Sequence, residues 1–195
     1  LYQSNDRVIS KNVYDYDEPL GIQFPETYFV RINFAFGNYY SVNYYGADPE
    51  WWKLESKSTF DYFYDSLGNR KTVSTITDYQ YNLENYQVSQ TNSIGSDGDE
   101  IITKTYYPDD VSGVSSLSGG NLTTQEYNAI DMLKAIKNDG TEGLHHTAVP
   151  IQIETYKNGV KLSTQRMTYK YLGNDLVVLD RVLTSKRNAP LVPRL

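Results

Sequence analysis

The sequence predicts an all-β fold, mainly an antiparallel meander of hairpins, with one packed α-helix. Three observations predict it: apolar and polar residues alternate over most of the chain, short turn motifs separate these stretches, and one segment alone has helical periodicity. Tyrosine, which occurs 19 times, suits such a sheet because its ring is apolar and its hydroxyl is polar. The 195 residues are expected to form a single β-rich domain, 1–195.

The first half of the chain predicts successive hairpins. Residues 1–21 are expected to form an edge strand or an ordered arm. The alternating stretch 28–36 leads through a Gly37-Asn38 turn to a returning strand at 40–44. A longer meander follows, with strands expected at 57–64, 71–81, 86–94 and 100–107. In its first turn, Gly68 and Asn69 are expected to supply positive φ angles.

The second half predicts one helix followed by further strands. Residues 108–122 are rich in Ser, Gly and Asp, and we expect a weak internal boundary there. A capping box and an apolar stripe predict a helix from Thr124 to Asn138, with Gly140 as its stop. Strands are then expected at 151–157, 160–171 and 176–184. The last of these is apolar on both faces, which predicts a central or helix-covered strand.

Composition argues against several classes of function. The net charge is −6, and the sequence pI is near 4.9, so no nucleic-acid partner is expected and docking on an anionic lipid surface is disfavoured. The chain has no Cys for a disulfide or thiol site and no apolar run long enough to span a membrane. Because it begins at Leu1 rather than Met, we interpret it as part of a longer, exported precursor.

Tyr62 to Arg70 reads Tyr-Phe-Tyr-Asp-Ser-Leu-Gly-Asn-Arg, and weaker Tyr-x-Tyr copies recur from Tyr14 to Asn174. This run resembles the YD repeat of the RHS family of bacterial cell-surface and secreted proteins. The resemblance implies a strand-rich wrapping sheet in an envelope or extracellular setting. Here the repeat spacing is irregular and a helix interrupts the series. We therefore do not expect this chain to encapsulate a toxin, as the toxin-carrying members of that family do. No self-cleavage motif is recognisable.

The acidic and histidine motifs are better explained as ordinary turns and solvated loops than as sites. His145 and His146 are adjacent and therefore poorly placed to bind one metal, although Glu142 or Asp139 is able to join one of them. The run 97–100 has acidic turn chemistry without the spacing of an EF-hand, and Asp109-Asp110 is interpreted in the same way. Nothing places a second acid opposite the cluster of Asp15, Asp17 and Glu18. We therefore expect no catalytic residues, no metal and no cofactor.

The strongest candidates for ligand binding are aromatic. Trp51 and Trp52 follow a Gly-Ala-Asp-Pro loop, and Tyr44 and Tyr45 precede it, so together they form a candidate platform for a sugar ring or a partner protein. Core packing of one Trp is the competing interpretation. We expect a non-enzymatic structural or adhesive module that contacts other parts of its precursor or a surface partner. The alternative is a carbohydrate-binding module that uses these aromatics to hold a glycan.

Overall fold

The structure is a computed structural model that describes residues 2–4, 7–17, 27–35, 39–47, 52–83 and 85–194, with side chains described for 9–17, 52–83 and 85–194. Most strands form one ten-stranded sheet in the order β1-β2-β5-β6-β7-β8-β9-β10-β11-β12, while β3 and β4 form a separate two-stranded sheet. The strands are β1 Tyr2–Ser4, β2 Arg7–Tyr16, β3 Thr27–Ala35, β4 Tyr39–Ala47, β5 Leu54–Tyr64, β6 Arg70–Tyr81, β7 Val88–Gly95, β8 Glu100–Tyr106, β9 Gln152–Lys157, β10 Val160–Gly173, β11 Leu176–Lys186 and β12 Val192–Pro193. The pairings from β5 to β12 are antiparallel, which confirms the predicted fold class.

By its contacts the chain divides into two compact units, Tyr14–Glu55 and a second unit that joins Leu1–Val13 to Ser56–Leu195. Within the smaller unit, β3 and β4 pair from Thr27↔Ala47 to Ala35↔Tyr39, as the alternation predicts. The predicted Gly37-Asn38 turn lies outside the described residues.

The turn between β5 and β6 forms around Asp65 and Gly68. The amide of Gly68 donates to the carbonyl of Asp65 at 3.0 Å, and Gly68 has a φ of 83°. The Asp65 carboxylate accepts from the amides of Leu67 and Asn69, so it fixes the turn from within. The expectation that Asn69 also has a positive φ is wrong. One left-handed glycine is enough to close a three-residue loop of this kind, so a second left-handed residue is not required.

The helix α1, Thr124–Leu133, starts as predicted and ends early. Thr123 accepts from the amide of Glu126, and the Glu126 carboxylate accepts from the amide of Thr123, which is the predicted capping box. The predicted end at Asn138 is wrong, because Lys134 is already extended. The returning segment binds the backbone at the end of the helix and just after it: the amide of Leu144 donates to the carbonyl of Met132, and the amides of Gly143 and His145 donate to those of Ala135 and Lys134.

The hydrophobic core lies where α1 and the segment 107–122 cover the β9–β11 part of the sheet. Its buried members are Val111, Leu117, Leu122, Ile130, Leu133 and Ile151. Half of them come from 108–122, the stretch where a weak boundary is expected, so that stretch contributes directly to the core. In contrast, no residue of β5, β6, β7 or β8 is buried. The side chains of these four strands are thus half-buried or exposed.

The apolar composition of β11 predicts a central or helix-covered strand, and the structure shows partial helix cover rather than a central position. Strand β11 is the second strand from one end, and only Leu183 and Thr184 pair with the short strand β12. Helix α1 lies against β10 and, to a smaller extent, β11. The apolar composition of β11 thus reflects partial helix cover, and among the described residues β12 pairs with two positions of its outer edge.

Candidate functional site

The predicted aromatic platform is only partly described. Trp52 is 55% exposed. Trp51 lies outside the described residues. Tyr44 and Tyr45 belong to β4, where they pair with Val30 and Phe29, but their side chains are not among those described. The platform therefore stays a prediction, and the exposed indole of Trp52 is its one described member.

The histidine and acidic motifs form local contacts. His145 Nε2 lies 3.2 Å from Glu142 Oε1, and both side chains are exposed. Asp139 instead accepts from Thr141, so it does not join this pair. Within the part of the chain that the structure describes, no group of three or more His, Cys, Asp or Glu residues could hold a metal ion.

The acidic turn at 97–100 is used to join two hairpins. Asp97 accepts from the amide of Asp99, and Asp99 forms an ion pair with Lys157. Asn158, at the tip of the β9–β10 hairpin, donates its side-chain amide to Asp99 at 2.9 Å and accepts from the amide of Glu100. The hydrogen bonds from Lys157 and Asn158 lower the pKa of Asp99. These residues hold neighbouring hairpin tips together.

The densest polar site centres on Glu154, a residue that the sequence did not single out. We call it the Glu154 cluster; its members are Tyr106, Ser118, Gln152, Glu154, Tyr156, Lys161 and Arg166. Strand alternation places Gln152, Glu154 and Tyr156 on one face of β9. Register places Lys161 opposite Tyr156 and Arg166 opposite Gln152. The loop that carries Ser118 lies on this face and closes the cluster.

Glu154 is only 2% exposed, yet both of its oxygens are fully engaged. Oε1 accepts from Ser118, from Gln152 Nε2 at 2.9 Å and from Lys161 Nζ at 2.7 Å. Oε2 accepts from Tyr156 Oη at 2.6 Å and from Tyr106 Oη at 3.5 Å. A buried carboxylate with this many donors remains ionised inside the protein.

Two opposing effects set the pKa of Glu154. Burial disfavours the charged form and by itself raises the pKa, but hydrogen bonds from Lys161, Ser118 and Tyr156 outweigh it and lower the pKa to about 2. The same contact raises the pKa of Tyr156 to about 12, because loss of its proton would place two negative charges together. The cluster thus holds Glu154 as an anion and Tyr156 as a neutral donor across the physiological pH range.

Arg166 connects the cluster to the covering loop. It is 3% exposed, and its Nε donates to Gln152 Oε1 at 2.7 Å. Its two terminal nitrogens donate to the carbonyls of Gly120 at 2.9 Å and Ser118 at 2.6 Å. A planar guanidinium suits this task because its donors point in fixed, divergent directions. Arg166 therefore fixes the loop backbone directly onto the sheet.

Lys161 Nζ lies 2.9 Å from Ser118 Oγ, a spacing similar to that of a catalytic serine–lysine pair. General-base catalysis needs a group whose pKa lies near the working pH. Glu154, with a pKa of about 2, is too weak a base to activate the hydroxyl. The Lys161 ammonium is committed to the Glu154 carboxylate through an ion pair with side-chain exposures of 16% and 2%. This arrangement is suited to holding the loop in place.

The cluster could hardly be predicted from the sequence, because its partners are distant along the chain. Ser118 is 36 residues from Glu154, and Arg166 is 48 residues from the Ser118 carbonyl that it binds. The only local signal is the polar face of β9, which also fits a solvated strand face.

Over the described residues, no helix has the length and apolar character needed to cross a membrane. Comparisons of the chain with protein-family models, with curated proteins and with solved structures found no match.

Proposed function

We propose that this chain is a non-enzymatic structural or adhesive module of a bacterial surface or secreted protein, as the YD-like run at Tyr62 to Arg70 implies. One observation supports the proposal most: the β5–β8 part of the sheet has no buried residue and carries exposed apolar residues. A surface of this kind offers apolar contact area to a partner.

The face expected to make the contact follows from strand register. Ile76 pairs with Ile94, and Ile102 pairs with Tyr156, so these residues lie on the same face of the sheet as the Glu154 cluster. Ile76 is 45% exposed and Ile94 is 43% exposed. The face that carries the Glu154 cluster at β9 and β10 thus carries exposed apolar residues at β6 and β7.

The Glu154 cluster supports the non-enzymatic part of the proposal. Its ionisable groups are paired with one another, and its carboxylate has a pKa far below neutral. Such groups stabilise one loop conformation rather than transfer protons. The module would then present a rigid surface in which the loop and sheet act as one body.

A binding assay with matched surface variants tests the proposal. Beads coated with the chain should be retained on bacterial envelope preparations, and Ile76→Lys/Ile94→Lys should reduce retention by at least about fivefold. The matched control is Phe63→Lys/Val73→Lys, which places the same charges on the opposite face of β5 and β6. Circular dichroism and urea unfolding would verify that both variants are folded. Equal retention of all three proteins would contradict the proposal.

The alternative, a carbohydrate-binding module, is favoured by one observation, the 55% exposure of Trp52. Indole rings of this exposure stack on the apolar faces of sugars. A glycan array with Trp51→Ala and Trp52→Ala as separate controls distinguishes the two functions. Specific glycan signals that disappear with either substitution would favour carbohydrate binding. If both Trp variants were retained on envelopes as well as the parent, the structural module would be favoured.

A further inference from the structure

Asn158 and Gly159 form the exposed tip of the β9–β10 hairpin, and this Asn-Gly pair occurs once in the sequence. Asn158 has a φ of 48° and Gly159 a φ of 77°, as the two central residues of a type I′ turn require. The same pair is suited to an intramolecular reaction, because glycine has no side chain to hinder its backbone nitrogen as it approaches the preceding carboxamide. The tip therefore combines a tight turn with a reactive pair of residues.

The reaction in question is the loss of ammonia from Asn158. The backbone nitrogen of Gly159 bonds to Asn158 Cγ, the bond from Cγ to Nδ2 breaks, and Nδ2 leaves as ammonia with the proton that the Gly159 amide gives up. Water then opens the five-membered cyclic imide at either carbonyl, which leaves aspartate or isoaspartate at position 158. Apart from its chain neighbours, no heavy atom lies within 4 Å of the point where a Cβ on Gly159 would be, so the turn is open to water on that side.

The neighbouring hairpin holds the Asn158 carboxamide at both of its ends. Nδ2 donates to Asp99 Oδ1 at 2.9 Å, and Oδ1 accepts from the amide of Glu100 at 2.9 Å. The backbone amide of Asn158 also donates to the carbonyl of Glu100 at 2.9 Å. Attack by Gly159 needs its nitrogen to approach Cγ from above the carboxamide plane. A carboxamide fixed at both ends cannot turn its plane to meet that approach without breaking these hydrogen bonds.

Asp99 is itself held in position to bind the carboxamide. Its carboxylate forms an ion pair with Lys157, its backbone amide donates to Asp97, and its carbonyl accepts from the amide of Gly95 at 3.1 Å. The contacts thus connect the two hairpin tips from both sides. We call the set of Asp99, Glu100, Lys157 and Asn158 the tip joint. Its two halves are far apart in the sequence, since Glu100 and Asn158 are separated by 58 residues.

We propose that Asn158 is a site of ammonia loss whose rate is set by the tip joint. The reaction is slow while the joint is formed and proceeds when the two tips separate. The aspartate product cannot re-form the joint, because it has no N–H to donate to Asp99 and places a second negative charge beside it. The isoaspartate product also adds a methylene group to the backbone of the turn, which disturbs the pairing of Val160 with Lys157. Separation of the tips is therefore recorded irreversibly.

Peptide mapping by mass spectrometry tests the proposal on the full chain, incubated over time at mildly alkaline pH. The reaction appears as a gain of about 1 Da at residue 158. We expect the folded chain to react at least about tenfold more slowly than the same chain unfolded in urea, because the joint withholds the geometry that the attack needs. The purified product should have a lower melting temperature than the parent. Equal rates in the folded and unfolded chain would overturn the proposal.

Variants of Asp99 make the test specific to the tip joint. Asp99→Ala removes the acceptor of Asn158 Nδ2 and should raise the rate in the folded chain at least about threefold, whereas Asp99→Asn keeps an acceptor oxygen and should keep most of the protection. Asp180→Ala is the matched control, since the Asp180 side chain is 36% exposed against 35% for Asp99 and also pairs with a cation, Arg181. Circular dichroism would verify that the variants are folded. A folded Asp99→Ala variant that reacts no faster than Asp180→Ala would refute the role of the joint.

Discussion

Replacing Glu154 with Gln should reveal how far the Glu154 cluster stabilises the fold. The substitution preserves the shape of the side chain, removes its charge and replaces one acceptor oxygen with an NH₂ donor. Lys161 then keeps a largely buried ammonium without its carboxylate, and the hydroxyls of Tyr106 and Tyr156 lose their common acceptor. Breaking a buried ion pair from one side is costly for this reason.

The magnitude follows from the pKa. Glu154 has a pKa of about 2 in the folded protein against an ordinary value of 4.5, which corresponds to about 3 kcal/mol of stability at neutral pH. Lys161 is able to extend towards solvent in the variant and recover part of this loss. We therefore expect Glu154→Gln to lower the free energy of unfolding by about 2–4 kcal/mol at pH 7.

Because the folded-state pKa is depressed, the contribution of Glu154 is complete above pH 4.5 and is lost as the pH falls towards 2. Urea unfolding of the parent should show this loss, and Glu154→Gln should flatten the pH dependence in that window. The control is Glu142→Gln, since Glu142 is 79% exposed and, among the described residues, pairs with His145 alone. Lys161→Met in the Glu154→Gln background should recover part of the stability, as expected for a coupled pair.

Two outcomes would refute this reasoning. One is a Glu154→Gln variant with the stability of the parent at pH 7. The other is an unchanged pH dependence between pH 4.5 and 2, which would mean that Glu154 does not titrate with a depressed pKa. Either result would remove the physical basis for assigning the cluster a role in loop fixation.

Three further substitutions test local features. Gly68→Val should lower stability by about 1–3 kcal/mol in urea unfolding because its φ is 83°, whereas Gly68→Asn should be tolerated, and equal stability of both would place the turn elsewhere. Asn158→Asp should lower the melting temperature at pH 7, because it places a carboxylate beside Asp99. The difference in melting temperature from the parent should shrink near about pH 3, where carboxylates become protonated. A difference that stays constant with pH would exclude charge repulsion as the cause. Gly143→Ala should destabilise the protein, since an added Cβ would lie 2.2 Å from the carbonyl oxygen of Lys134; unchanged thermal unfolding would show that the loop adapts freely.

Local sequence signals predicted most of the strands and turns. The alternation and the Asn158-Gly159 turn place β9 and β10 to within two residues of their observed limits, because hairpin pairing depends mainly on nearby residues. The start of α1 is equally local, since its capping box spans only four residues. The end of α1 is not local. It depends on residues 143–145, whose amides bind the backbone at the end of the helix and just after it. No residue near Leu133 has the character of a helix stop.

The candidate site was less predictable for the same physical reason. Trp52 could be named from its residue type and the adjoining loop alone. The Glu154 cluster instead requires the 112–121 loop to fold back over β9 and β10, so its partners meet only in the finished fold. Polar residues on β9 are compatible with water on that face until the position of this loop is known.

Strand β11 shows what an apolar strand does and does not reveal. Apolar residues on both of its faces predict a central or helix-covered strand, because such residues are typical of strands whose faces are covered. The structure gives the second alternative in part: α1 lies against β10 and β11, and Val177 packs against the core, whereas Leu176 and Leu179 are about half exposed. The strand itself is second from one end of the sheet. Composition therefore indicates that a face of β11 is covered, but the order of the strands depends on pairing between distant parts of the chain and is not encoded in the residues of one strand.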